Sequence, residues 1–177
     1  DALQAEAFGM ILRSGLSAER RAVCAEYLAD AAGVDGICGG QYLDLDDEGK
    51  PLTEAQLTEI HSRKTGALLV AACKMGVAAA GGSAELLEAA AEYGALLGTA
   101  FQIRDDMLDE LSTPEKLGKP IGSDREEGKT TFLTLYGAEQ CDRTVRRLTD
   151  EAKSAVGRFT DSAFLCWLAD RLAQREA

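Results

Sequence analysis

The chain has 177 residues, of which 46% are hydrophobic, and this length and composition are typical of one folded domain with a buried core. Thirty acidic residues against nineteen Lys and Arg leave a net charge of −11, which argues against non-specific binding to nucleic acid or to an anionic membrane surface. Any anionic ligand must therefore meet local cations. The five cysteines are scattered and odd in number, so we expect reduced thiols and a cytoplasmic protein.

Helical signals begin at the first residues. The chain starts without an initiator Met and already in helical period, so we expect it to begin inside an element, either after a removed leader or as the later part of a longer fold. Ser17 predicts a helix start, with the helix running to about Ala32, and a short helix is predicted over 39–45. Thr53, with Gln56 three residues later, forms the sequence pattern of a capping box.

The capping box predicts a long helix that runs to about Ala80, and the following Gly-Gly-Ser ends it and starts the next helix, over about 84–110. Residues 111–129 combine Pro, Gly and charges of both signs, which predicts a loop, and helices are expected near 130–136, 138–157 and 160–174. The apolar run 66–82 contains Lys74 and mostly small residues, which favours a tightly packed core helix over a membrane span. The predicted fold class is all-α with short connections.

Three aspartates with the spacing D-D-x-x-D lie near the end of the 84–110 helix. Asp105 and Asp109 are four residues apart and share a helix face, where like charges repel unless a cation offsets them. Mg²⁺ typically takes one or two carboxylates together with water and phosphate oxygens, so Asp105, Asp106 and Asp109 are candidate metal ligands. The alternative is a solvated face, on which Arg104 neutralises part of the cluster.

Two further segments carry cations. Lys64 and Thr65 are predicted in mid-helix and precede Gly66, a poor helix former that suggests a close approach by a neighbouring backbone; a plain solvated lysine is the alternative. Lys119 and Lys129 lie ten residues apart in a Gly-punctuated segment, where lysines can contact an anion as point charges. The Walker A spacing is absent from this segment, which excludes that kind of nucleotide site.

Two other patterns carry no metal site. Residues 44–55 match the first positions of an EF-hand loop, but the twelfth position is Ala55 and the bidentate acid is missing. His61 has no partner at metal-ligand spacing, and we interpret it as a surface histidine on a capped helix.

The order of the motifs resembles a known family. "GGQYLDL" (39–45), "HSRKTGALL" (61–69), "FQIRDDMLD" (101–109) and "LGKPIGSDREEGKTT" (117–131) are similar to the C-terminal part of a trans-isoprenyl diphosphate synthase. This is the polyprenyl synthetase family, of the bacterial farnesyl or geranylgeranyl diphosphate synthase type. The resemblance covers essentially all of 1–177, as the C-terminal part of one domain. It implies an all-α isoprenoid-synthase bundle that lacks the N-terminal helices, the first aspartate-rich motif and the isopentenyl diphosphate site.

The resemblance also implies the chemistry. An allylic diphosphate would ionise with Mg²⁺ held by the three aspartates, and isopentenyl diphosphate would attack the allylic cation. Lys64, Lys119 and Lys129 would contact diphosphate oxygens. The residues implied near the reacting carbons are Gln41, Thr65, Phe101 and Gln102.

The same resemblance leaves two alternatives and one expectation. A terpene cyclase shares the fold and the ionisation step, and a non-catalytic regulatory partner subunit is the second alternative. Because the first metal motif has no counterpart in this sequence, we expect the chain alone to lack synthase activity. Helices that would face the missing part are expected to expose apolar stripes, which favours a homodimer or a higher oligomer.

Overall fold

The computed structural model describes residues 2–111 and 129–175, with no side-chain description for 110 and 111, and these residues form an all-helical structure. The helices in chain order are α1 (Ala2–Arg13), α2 (Ala18–Ala32), α3 (Ile37–Asp46), α4 (Glu54–His61), α5 (Ala67–Ala80), α6 (Ala84–Leu111), α7 (Phe132–Tyr136), α8 (Ala138–Ala155) and α9 (Ala163–Ala173). A π-helical segment, Ser62–Gly66, joins α4 to α5, and a 3₁₀ turn, Val156–Arg158, follows α8. The predicted all-α class is confirmed, and no strand occurs in the two described ranges.

The helix starts follow from the predicted caps. The Ser17 hydroxyl accepts a hydrogen bond from the N–H of Arg20 at 3.3 Å, and Thr53 and Gln56 form the predicted capping box. The α5 helix ends at Gly81, whose φ of 75° lies in the left-handed region that glycine adopts without strain. Ser83 then accepts from the N–H of Leu86 at the start of α6.

Helix α6 runs through the centre of the structure and packs against α5 on one side and α8 on the other. One buried cluster joins its C-terminal half to α4, α7 and α8, and includes Ile103, Met107 and Phe132. A second cluster joins its N-terminal half to α8 and α9, where Tyr93 is 1% exposed and donates a hydrogen bond to the Leu165 carbonyl at 2.8 Å. The cores on both sides hold α6, and therefore its aspartates, in a fixed position.

Glycines allow the helices around the π-helical segment to approach closely. A methyl group at Gly98 of α6 would lie 3.0 Å from the Cα of Gly66, which confirms the expected close approach there. The close approach depends on the missing side chain at Gly98 rather than at Gly66, because a methyl group at Gly66 would meet only the His61 carbonyl, at 3.7 Å. On the other side, a methyl group at Gly40 of α3 would lie 2.3 Å from the backbone N of Lys64.

Two features bear on the remaining expectations. Helix α1 has no buried residue, and its Leu3 and Met10 are 88% and 67% exposed, which agrees with the expected apolar stripe.

Within 2–111 and 129–175, no helix has both the length and the apolar character needed to cross a bilayer. Of the predicted loop, 111–129, only Leu111 and Lys129 are described, and Leu111 is the last residue of α6 rather than part of a loop.

Candidate functional site

A cavity of about 370 Å³ lies where α3, the π-helical segment, α6 and the residues before α7 meet. Its polar and charged lining comes from segments that are far apart in the sequence. The carboxylates are Asp44, Asp47, Glu48, Asp105 and Asp106, the lysines are Lys50, Lys64 and Lys129, and the other polar residues are His61, Thr65, Gln102, Thr130 and Thr131. Phe101 and a few aliphatic side chains complete the walls.

Most of the predicted site residues line this cavity. They are Lys64, Thr65, Phe101, Gln102, Asp105, Asp106 and Lys129. Gln41 is exposed on α3 and is not among the lining residues, and Asp109 is only 4% exposed and also lies outside the lining. Lys119 lies outside the described residues. The structure therefore brings together residues of the second, third and fourth motifs.

Lys64 reaches the cavity from the π-helical segment. Its Nζ lies 2.6 Å from Oδ2 of Asp44 on α3, and both side chains are about one-third exposed. Local spacing offers no reason to pair these two residues, although Asp44 belongs to the first motif, 39–45, as well as to the rejected calcium loop. A π-helical turn within a longer helix often occurs at functional sites, and here it carries Lys64 and Thr65.

A chain of hydrogen bonds crosses the cavity wall behind Lys64. The hydroxyl of Thr65 lies 3.2 Å from Oε1 of Gln102, and Nε2 of Gln102 lies 3.1 Å from Oδ1 of Asp106. The other carboxylate oxygen of Asp106 accepts the backbone N–H of Phe132 at 2.9 Å. Asp106 is 6% exposed, so this chain links two cavity-lining side chains to a buried carboxylate.

Asp105 makes a different contact from its neighbour. Its Oδ1 lies 2.7 Å from the guanidinium of Arg175, which also covers the Phe101 ring at 3.8 Å. In the solvated-face alternative, Arg104 neutralises part of the cluster, but in the structure Arg104 donates to the backbone carbonyl of Arg175 at 3.0 and 3.1 Å. Arg175 was missed because it lies 70 residues after Asp105 in the chain.

The donor chemistry of the cavity fits a hard divalent cation completed by ligand oxygens. Five carboxylates against three lysines give the lining a formal charge of −2, which repels a bare diphosphate. The Asp105 side chain is 44% exposed, and a single carboxylate is enough for Mg²⁺ when phosphate oxygens and water supply the other positions. In the described part of the chain, no three His, Cys, Asp or Glu side chains are gathered as a metal-binding group by themselves.

His61 is not the surface histidine that the sequence suggested. Both ring nitrogens are buried and have no hydrogen-bond partner among the residues that the structure describes, and the ring lies 5.5 Å from that of Phe132. Burial lowers the pKa of His61 from 6.5 to about 4, with the Lys64 charge acting in the same direction and the carboxylates of Asp44 and Asp105 opposing it. The surface interpretation is wrong because α7 packs over the end of α4.

Comparison with known proteins gives consistent matches. Residues 1–161 match the profile of the polyprenyl synthetase family. The chain is 38% identical to farnesyl diphosphate synthase of Escherichia coli K12, over 99% of the chain and 61% of that protein. Geranylgeranyl pyrophosphate synthetase from Pyrococcus horikoshii has a similar structure, with a TM-score of 0.84 and 28% identity over 97% of this chain and 64% of that one.

A third similar structure is a geranyltransferase from Helicobacter pylori complexed with magnesium and isoprenyl diphosphate. It matches with a TM-score of 0.80 and 28% identity, over 97% of this chain and 57% of that one. The chain thus spans about three fifths of the length of these relatives.

Proposed function

The chain belongs to the polyprenyl synthetase family, and on that basis we propose that the protein is a trans-prenyltransferase. It condenses an allylic diphosphate with isopentenyl diphosphate in a Mg²⁺-dependent reaction. Residues 1–177 would be the C-terminal part of one polyprenyl synthetase domain, in keeping with matches that span about three fifths of the relatives.

One observation carries the proposal. Lys64, Thr65, Gln102, Asp105 and Lys129 come from three separate motifs, and all of them line a single cavity. If each motif were only a solvent-exposed surface, there would be no reason for the three motifs to lie around the same cavity. Cations, an amide, a hydroxyl and carboxylates around one cavity suit a diphosphate ester whose carbon–oxygen bond breaks.

The lysines have the role of binding the diphosphate. When the carbon–oxygen bond of the allylic substrate breaks, its electron pair stays on the diphosphate oxygen, and the leaving group carries about three negative charges. Lys64 and Lys129 both line the cavity, and in this proposal they donate to those oxygens. Lys64 must then exchange or share its contact with Asp44. Lys119 is proposed to assist them from the preceding segment.

Magnesium held by Asp105 would stabilise the charge that develops on the diphosphate. The other two aspartates of the motif, Asp106 and Asp109, are 6% and 4% exposed. Asp105 is the member with an exposed carboxylate in the cavity. Binding such a cation requires Asp105 to give up or share its contact with Arg175.

The uncharged groups of the cavity face the allylic carbons in this proposal. The hydroxyl oxygen of Thr65 and the amide oxygen of Gln102 are dipoles that stabilise a neighbouring cationic carbon, and the Phe101 ring helps to exclude water from it. The double bond of isopentenyl diphosphate then supplies the electron pair of the new carbon–carbon bond, and a proton is lost from the adduct. Gln41 is proposed to act on the same side, although it is exposed in this structure.

Ligand binding to the chain provides the test. Calorimetric titration with dimethylallyl diphosphate should show binding that requires Mg²⁺, and Lys64→Ala should weaken it at least tenfold. Lys153→Ala is the matched control, because Lys153 is also paired with an aspartate, Asp170 at 3.0 Å, but lies outside the cavity. Equal losses in the two variants, or binding that is independent of Mg²⁺, would refute the proposal.

Turnover separates the alternatives. An active full-length form should consume the allylic diphosphate to a longer prenyl diphosphate only when isopentenyl diphosphate is present. Release of cyclised hydrocarbon without isopentenyl diphosphate would indicate a terpene cyclase, and Mg²⁺-dependent binding without turnover would indicate a regulatory subunit.

Assembly and location complete the proposal. The exposed apolar residues of α1, together with Val34 and Leu45 at 78% and 61% exposure, support a homodimer, and the mass of the purified chain in solution measures it. We also propose a cytoplasmic location, supported by the five free cysteines.

A further inference from the structure

The buried carboxylate of Asp106 lies between two N–H donors. Its Oδ2 accepts the backbone N–H of Phe132 at 2.9 Å, and its Oδ1 faces Nε2 of Gln102 at 3.1 Å. A carboxylate accepts hydrogen bonds and donates none, so the end of the Gln102 amide that faces Asp106 must be the NH₂ group. The amide orientation therefore follows from the chemistry of its neighbour.

The other end of the same amide faces the cavity wall. With its NH₂ group committed to Asp106, Gln102 presents its Oε1 to Thr65, whose hydroxyl lies 3.2 Å away and donates to it. Both Gln102 and Thr65 line the cavity. The charge of Asp106 thus decides that an oxygen, and not an NH₂ group, lies on the cavity side of Gln102.

The position of Asp106 is fixed from the opposite side as well. Phe132 is the first residue of α7 and lies between Thr131 and Thr134, which form the capping box of that helix. It is 5% exposed and belongs to the core. Asp106 itself is 6% exposed, whereas the neighbouring Asp105 side chain is 44% exposed and pairs with Arg175. The two adjacent aspartates consequently have different surroundings.

We propose that Asp106 is a positioning residue: it orients the Gln102 amide oxygen toward Thr65 and the cavity, and it ties α6 to the start of α7. The catalytic consequence rests on the proposed function, because an amide oxygen stabilises a cationic carbon and an amide NH₂ group destabilises it. The orientation itself does not depend on the activity.

Asp106→Asn tests the orientation. In the variant, the Asn oxygen would accept the Phe132 N–H, so the Asn NH₂ group would face Gln102. The Gln102 amide would then have to rotate by half a turn, so that its oxygen and its NH₂ group exchange places. In ¹⁵N-labelled protein, the Gln102 Nε2 protons should show nuclear Overhauser effects with the β-protons of Asp106 in the wild type. In the variant they should show them with protons of Thr65. Unchanged Overhauser effects in a folded variant would overturn the proposal. Asp142→Asn is the control, because Asp142 forms an exposed pair with Arg146 at 2.9 Å.

Activity of a full-length form tests the consequence. Asp106→Asn should lower kcat at least tenfold with less than a threefold change in KM, and adding Gln102→Glu should restore at least half of the lost kcat. In that double variant the Asn NH₂ group faces one Glu oxygen, and the other oxygen again faces Thr65. The rescue also distinguishes positioning from unfolding, since a misfolded single variant gives no reason for the second substitution to help.

The outcomes separate the two proposals. A turned Gln102 amide with unchanged kcat would overturn the catalytic consequence of Asp106. Absence of prenyl transfer in the wild type would refute the proposed function, while the Overhauser measurement would still decide the orientation of the amide.

Discussion

Replacing Gly40 by Ala should destabilise the protein, although alanine is the better helix former. The added methyl group would lie 2.3 Å from the backbone N of Lys64 and 2.7 Å from its Cα, where ordinary contact needs 3.4–4 Å. Helix α3 and the π-helical segment must therefore separate by about 1 Å, and neither side can relax by rotating a side chain, because both contacts are with backbone atoms.

The magnitude follows from two opposing effects. Overpacking of a close contact costs about 1–3 kcal/mol, and a rigid backbone contact belongs at the upper end of that range. The gain in helix propensity from Gly to Ala is about 1 kcal/mol, so Gly40→Ala should lose about 2 kcal/mol of unfolding free energy. For a chain of this size this corresponds to a fall in Tm of about 4–8 °C.

Gly76 provides the matched control. It lies within α5, and an added methyl group would have no atom within 4 Å, so Gly76→Ala should gain about 0.4–1 kcal/mol. Urea and thermal unfolding followed by circular dichroism measure both variants. The reasoning is refuted if Gly40→Ala is as stable as Gly76→Ala. The same displacement moves Lys64, so only the Gly40 variant should also lose affinity for pyrophosphate with Mg²⁺.

Three further predictions concern the cavity. If Lys64 contacts oxygens that gain charge as the bond breaks, Lys64→Ala in an active full-length form should lower kcat more than it raises KM. Normal values of both in steady-state kinetics would show that Lys64 is an ordinary solvated lysine. Asp105→Asn should abolish most of the magnesium dependence of pyrophosphate binding in calorimetry, and an unchanged dependence would remove Asp105 from the metal site. Because the pKa of His61 is about 4 in the folded chain and 6.5 in its ordinary state, the unfolded chain binds more protons between these values. The free energy of unfolding should then fall as pH drops below about 6.5, by at most about 3 kcal/mol. In His61→Phe, the urea midpoint should depend less on pH than in the wild type, when both are measured between about pH 5 and 7 without metal.

The parts of the fold that depend on neighbouring residues could be predicted from the sequence. Ser17 and Thr53 cap helices through hydrogen bonds to residues three positions away, and Gly81 ends α5 through its own backbone conformation. Such signals lie within one helical turn, and the predicted helix ends agree with the structure to within a few residues. Most of the predicted site residues also line one cavity, because the family resemblance implied their spatial arrangement, whereas Gln41 and Asp109 do not line it.

The parts that depend on distant contacts could not be predicted. Lys64 meets Asp44, and Asp105 meets Arg175, across 20 and 70 residues of chain, and nothing in local spacing selects those partners. The burial of His61 required knowing that Phe132 would pack over it. The π-helical segment was likewise read as ordinary helix, since its residues carry no signal that separates the two conformations.

Because of the π-helical segment, the number of residues between α4 and α5 matters more than their identity. An α-helix turns by about 100° per residue, and the wider turn at Ser62–Gly66 accommodates one additional residue. Deleting one residue there would restore an uninterrupted α-helix and rotate all of α5 by about 100° around its axis relative to α4. The face that buries Ala71 and Val77 would turn away from the core, whereas a substitution at Ser62 would alter a single side chain. We therefore expect this segment to accept side-chain changes but not a change in the number of its residues.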